Sequence, residues 1–96
     1  MGDITLSEED LRVSANMKQL REASGVTRHE LGTAIERSGV LVGAIERGVR
    51  RATPKVRRLA ADRLRIPLDA LTDDELAAEF LAALRREVRP EAVTAA

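Results

Sequence analysis

Cysteine, tryptophan and tyrosine are missing from this 96-residue chain, and histidine and phenylalanine occur once each, as His29 and Phe80. The lack of cysteine excludes disulfides, thiolate metal sites and cysteine nucleophiles, so stability has to come from packing. A single histidine leaves little general acid or base chemistry near neutral pH, and one aromatic ring cannot build a stacking surface for unpaired bases. No catalytic residue, metal site or cofactor is expected, and the chain reads as a non-enzyme. Long apolar runs are missing too. The longest, Gly39 to Ile45, is far below the roughly 18 residues of a membrane span, and the first ten residues are acidic where a secretory signal would be basic. A cytoplasmic protein with no membrane partner is expected, with room for one small core.

Net charge is absent as well, because sixteen Lys and Arg balance sixteen Asp and Glu. The balance is uneven along the chain. Residues 1–10 carry Asp3, Glu8, Glu9 and Asp10 and no base, while residues 11–45 have two more bases than acids. Residues 46–65 have six more, from Arg47, Arg50, Arg51, Lys55, Arg57, Arg58, Arg63 and Arg65 against Glu46 and Asp62. Residues 66–84 are acidic again through Asp69, Asp73, Asp74, Glu75 and Glu79. A basic centre between acidic ends points to a surface that meets an anionic partner. The plain alternative is that arginines merely solvate helices, since an abundance of Ala, Arg, Leu and Val is what GC-rich coding produces.

Helix starts are written in the sequence. Ser7 with Asp10, Thr27 with Glu30 and Thr72 with Glu75 each set a hydroxyl at an N-cap and a carboxylate three residues on, the capping-box spacing. Thr53 before Pro54 marks a fourth start and Ser38 a fifth. Gly25 and Gly48 mark ends, being free to take the left-handed conformation that closes helices. Apolar spacing fills these segments: Leu11, Val13, Met17 and Leu20; Leu31, Ala34 and Ile35; Val42 and Ile45; Val56, Leu59, Ala60 and Leu64; then a brief turn with Pro67, Leu68 and Leu71. A last helix from about Asp73 to Val88 repeats Leu76, Phe80, Leu84 and Val88 every fourth residue, with Ala77 and Leu81 beside them. No period-two run suits a strand, so the chain reads as all-α. His29 is expected at the surface, Met17 in the core, and Asp73, Asp74 and Glu75 in a helical first turn rather than around a metal.

The stretch T-R-H-E-L-G-T-A-I-E-R-S-G-V-L-V-G-A-I-E-R-G, Thr27 to Gly48, resembles the helix-turn-helix core of the Xre or Cro/CI repressor family without a gap. The similarity extends through K-Q-L-R-E-A-S-G upstream and R-R-A-T-P-K-V-R-R-L-A-A-D-R-L-R-I-P-L-D-A-L downstream, about Leu11 to Leu71. The resemblance implies a five-helix, lambda-repressor-like DNA-binding bundle, here with an added C-terminal amphipathic helix. It divides the chain into an acidic arm (1–10), a helix-turn-helix domain (11–72), a C-terminal helix (73–89) and a flexible tail (90–96). It implies a bacterial or phage regulator that binds double-stranded operator DNA, nucleoid-associated when bound. Arg28 matches a position that meets the sugar-phosphate backbone. Gly39, Val40, Gly43 and Ala44 match positions that enter the major groove, after Ser38 at the helix start. Arg47, Arg50, Arg51 and Lys55 match positions that track phosphates.

Two departures from the family fall on the reading surface. Members usually begin the recognition helix with Gln, Arg, Lys or Ser, which bond base edges, whereas Gly39 and Val40 have no polar side chain. Apolar contact with thymine methyls from Val40, Leu41 or Ala44, close backbone approach at the glycines, and shape readout by arginine remain. In the turn, Glu36 and Arg37 stand where relatives have Gly and an aliphatic residue. Either the second helix runs on through Arg37, setting it beside the groove as a DNA contact, or a standard turn makes a non-glycine residue left-handed at a cost of roughly 1 kcal/mol. Relatives commonly dimerise, and Leu76, Phe80, Leu84 and Val88 are the expected homodimer contacts. Two rivals keep the fold: an antitoxin-type autoregulator whose acidic ends hold a toxin, and a protein-interaction module that docks a partner on Val40 and Leu41.

Overall fold

The computed structural model of the protein describes residues 5–87. Five α-helices run through them, with no strand among the described residues: α1 Glu8–Ala23, α2 Arg28–Ala34, α3 Gly39–Glu46, α4 Pro54–Leu64 and α5 Asp74–Glu87, with a 3-10 turn at Leu68–Leu71 before α5. Val88 and the expected tail at 90–96 lie outside the described residues. The acidic arm expected over residues 1–10 ends inside a helix, because Glu8, Glu9 and Asp10 form the first turn of α1.

Side-chain caps set the starts. Ser7 and Asp10 close a reciprocal capping box on α1, and Thr27 and Glu30 close another on α2. The Ser7 amide holds the Asp10 carboxyl below its ordinary value, and the Thr27 amide does the same for Glu30, since each bond favours the charged form. Ser38 caps α3, and Thr53 caps α4 with Pro54 behind it. The expected Thr72–Glu75 box does not form. The Asp73 carboxylate accepts from the amides of Glu75 (2.9 Å) and Leu76 (3.1 Å), while the Thr72 hydroxyl donates back to the Asp69 carbonyl (3.3 Å). A charged acceptor one residue later makes the stronger cap.

The helix ends share one geometry. After α1 to α4 a residue with φ near +60° to +75° lets two amides turn back onto the last carbonyls, as in Val26 to Arg21, Arg37 to Gly32, Val49 to Ala44 and Ile66 to Ala61. Gly25 and Gly48 supply two of these positions, Glu36 and Arg65 the others. The first of the two turn alternatives is thereby excluded: α2 stops at Ala34 and α3 begins at Gly39.

The core joins all five helices. Val13, Met17, Leu20, Leu31, Ile35, Val42, Ile45, Ala60, Leu64 and Leu71 are buried, and Val26, Ala52, Ile66 and Ala70 from the connections seal it. Leu11 and Leu68, expected inside, are about half exposed. α5 folds onto α1 and the 3-10 turn. Its buried residues are Ala77 and Leu81, and Leu76, Phe80 and Leu84 pack partly covered against the same core. Asn16 on α1 ties this junction by donating to the Leu71 carbonyl and to Asp74, both at 3.1 Å.

Candidate nucleic-acid interface

α2 and α3 make the most intimate helix pair of the molecule, and small residues allow it. A Cβ on Gly32 would stand 2.3 Å from the Ser38 carbonyl carbon and 2.5 Å from the Gly39 nitrogen. No side chain fits there, so the turn passes directly over α2. On α3, Gly39 faces the backbone of Arg28 and His29, and a Cβ there would be 3.1 Å from His29. Gly43, one turn further, lies beneath the side chains of Arg28 and Arg47. Both glycines therefore line the side of α3 that meets α2. Close backbone approach to a ligand, expected at both, is not available at Gly43, which is buried.

The room above Gly43 lets Arg28 cross to α3. Its Nε donates to the Glu46 Oε1 at 3.1 Å. Glu46, with its side chain 1 % exposed, also takes the forked guanidinium of buried Arg21 on both oxygens, and Arg21 donates through Nη1 to the Val26 carbonyl at 2.8 Å. One carboxylate thus fastens α1, α2 and α3 together, and exposed Glu22 lies 3.7 Å from the Arg21 guanidinium. Arg28 stays half exposed, and its Nη groups make no hydrogen bond among the described residues. Neither Arg21 nor Glu46 was singled out from sequence. The signals were there: Arg21 continues the Val13–Met17–Leu20 face of α1, and Glu46 is the only acid between Glu36 and Asp62.

With the glycines turned inward, Val40, Ala44 and Arg47 form the outward row of α3, at the four- and three-residue spacing of one helical face. Val40 is 81 % exposed, Ala44 half-buried and Arg47 exposed. Leu41 packs partly against the core. The Ser38 hydroxyl is engaged with the Leu41 amide at 3.3 Å. Arg37, in the turn ahead of α3, is exposed, with its head in solvent as the standard turn implies. Arg50 follows α3, its amide folded back on the Ala44 carbonyl at 3.3 Å.

The bases on and next to α2 and α3, with Arg21 and Arg57 behind them, differ in what they meet. Arg21 and Arg57 are internal: Arg57 donates to the Ala52 carbonyl, to Glu9 and to Asp10 at 2.9–3.0 Å, holding α4 to the start of α1. Arg28 and Lys55 are engaged but exposed, Lys55 with Glu36 at 3.0 Å. The Lys55–Glu36 pair, exposed on both sides, contributes about 1 kcal/mol or less and yields readily to another anion. Arg37, Arg47, Arg50 and Arg51 form no ion pair with any described residue.

Among the described residues no helix is long and apolar enough to cross a membrane, and no group of His, Asp and Glu is arranged to hold a metal. Comparison with known protein families, with curated proteins and with solved structures found no match.

Proposed function

We propose that this chain is a helix-turn-helix regulator of the Xre or Cro/CI type, a lambda-repressor-like bundle extended by α5, which binds operator DNA and represses by occupying it. The observation that carries this reading is α3 itself. It is a short helix with one exposed row, bracketed by Arg37, Arg47 and Arg50, none of them ion-paired with a described carboxylate in a chain whose total charge is zero, with Arg51 following them beside Asp10. A major groove about 12 Å wide admits such a helix, and its flanking phosphates take the arginines. Arg28 adds a half-exposed guanidinium edge beside the first turn of α2. Titration of duplex DNA at rising salt tests it: tight association at low salt, falling steeply with salt, is expected, and no association at low salt refutes it.

A homodimer belongs to this reading, since two-fold symmetry matches palindromic half-sites about one helical turn apart. The exposed parts of Leu76, Phe80 and Leu84, with Val88, are the surface proposed for the second copy. Light scattering on the full chain should give about twice its 10.5 kDa, reverting to one copy in Leu84→Glu. A single-copy mass for the unaltered chain at micromolar concentration contradicts the dimer.

The second reading, a protein-interaction module, is favoured by the exposure of Val40, an apolar residue at the centre of the surface. It differs in needing no nucleic acid: its partner would compete with nothing in the duplex titration.

A further inference from the structure

The leading half of α3 offers one hydrogen-bonding side chain, the Ser38 hydroxyl at its cap, which already accepts from the Leu41 amide. Gly39 and Gly43 face α2, the Ser38 hydroxyl caps the helix, and Val40 with Ala44 one turn behind it are what remains outward. Arg47, the polar member of the row, is rooted about 10 Å beyond Val40 at 1.5 Å per residue, and its guanidinium turns back over Gly43, toward Arg28 and α2. An apolar side chain pressed on a hydrogen-bonding base edge strips water from it and returns no bond, which is unfavourable. Pressed on a methyl group it loses nothing and removes apolar surface from water. In the major groove thymine is the ordinary base that presents a methyl.

Resting on the DNA-binding reading, we infer that Val40, supported by Ala44, selects binding sites by the 5-methyl group of pyrimidines. Each half-site carries thymine under the first turn of α3. Discrimination comes from the methyl, and affinity comes from the surrounding arginines. Charge complementarity argues for this occupant over an apolar peptide, because Arg37 in the turn before α3 and Arg47 at its end form no ion pair with a described carboxylate.

Duplexes enriched from a random library by the full-length chain at low salt supply the probe. Each thymine in an enriched duplex is replaced in turn by deoxyuridine, which deletes the methyl and keeps every hydrogen-bonding atom. One or two positions per half-site should lose about fourfold in affinity each, the equivalent of one buried methyl. That loss should vanish in Val40→Ala and in Val40→Ser, both tolerated by the fold at so exposed a position, while their salt dependence stays that of the unaltered chain. Enriched sites in which no deoxyuridine matters, or a loss that persists in both variants, overturn the methyl reading and leave DNA binding standing. Salt-dependent binding without any enriched sequence does the same. Failure to bind any duplex overturns the DNA-binding reading itself, and the methyl reading with it.

Discussion

Glu36 and Arg65 hold φ at 63° and 59°, a region where a Cβ crowds the following carbonyl and costs roughly 1–2 kcal/mol. Both are placed there by helix ends, Glu36 after α2 and Arg65 after α4. Arg65→Gly should therefore raise stability by about 0.5–1 kcal/mol, the relief being partly offset by the greater unfolded-state freedom of glycine. In a domain of this size that is several degrees in Tm, and thermal unfolding followed by circular dichroism reads it. An unchanged or lowered Tm contradicts the strain. Glu36→Gly should gain less, since it also loses the Lys55 pair. The strain at Glu36 could be weighed from sequence as one of two turn geometries, because Glu-Arg stood where a glycine was expected. Arg65 could not, as nothing in R-L-R-I-P marks which residue turns left-handed. Gly32 was equally silent: a glycine inside a helix signals a close approach, but what approaches is set by the tertiary path of the turn.

Among the elements, the caps were legible because capping is a local contest settled within four residues. The same contest explains the miss at α5, where Asp73 displaces Thr72 as the cap. The row Leu76–Phe80–Leu84 was legible as apolar but not as half-covered. Which side of an amphipathic helix is deepest depends on its roll against α1, and the small Ala77 allows the closer approach. The fastening of α1, α2 and α3 through Arg21, Glu46 and Arg28 spans 25 residues, beyond any local pattern. Removing Glu46 leaves buried Arg21 with only the Val26 carbonyl and the exposed Glu22 at 3.7 Å, a cost of about 3 kcal/mol, the low end for breaking a buried pair. Glu46→Gln should accordingly lose that amount in urea unfolding, a large share of the roughly 5–15 kcal/mol that holds a native domain. Replacing the pair by apolar residues, Arg21→Met with Glu46→Leu, should recover most of it. A Glu46→Gln protein as stable as the unaltered chain contradicts the role given to this cluster.

At the scale of the whole molecule, zero net charge conceals a division of labour among the arginines. The sequence shows where the bases cluster, but not which are consumed by pairing. Arg57 bonds Glu9 and Asp10 across 48 and 47 residues, and Arg12 meets Asp74 at 3.5 Å. The acidic ends thus neutralise part of the basic centre from within. Arg37, Arg47, Arg50 and Arg51 around α3 are among the described bases without an ion pair, as are Lys18, Arg58, Arg63, Arg65, Arg85 and Arg86 elsewhere, and those four form the surface on which the proposed function depends. The salt dependence of duplex binding tests that surface most directly. Each phosphate contact contributes about −0.9 to the slope of log K against log salt, so the double variant Arg50→Ala, Arg51→Ala should bind all sequences more weakly with a slope shallower by about 2 per protomer. A slope identical to that of the unaltered chain, or no association of either protein with duplex DNA at low salt, would contradict DNA binding through this face.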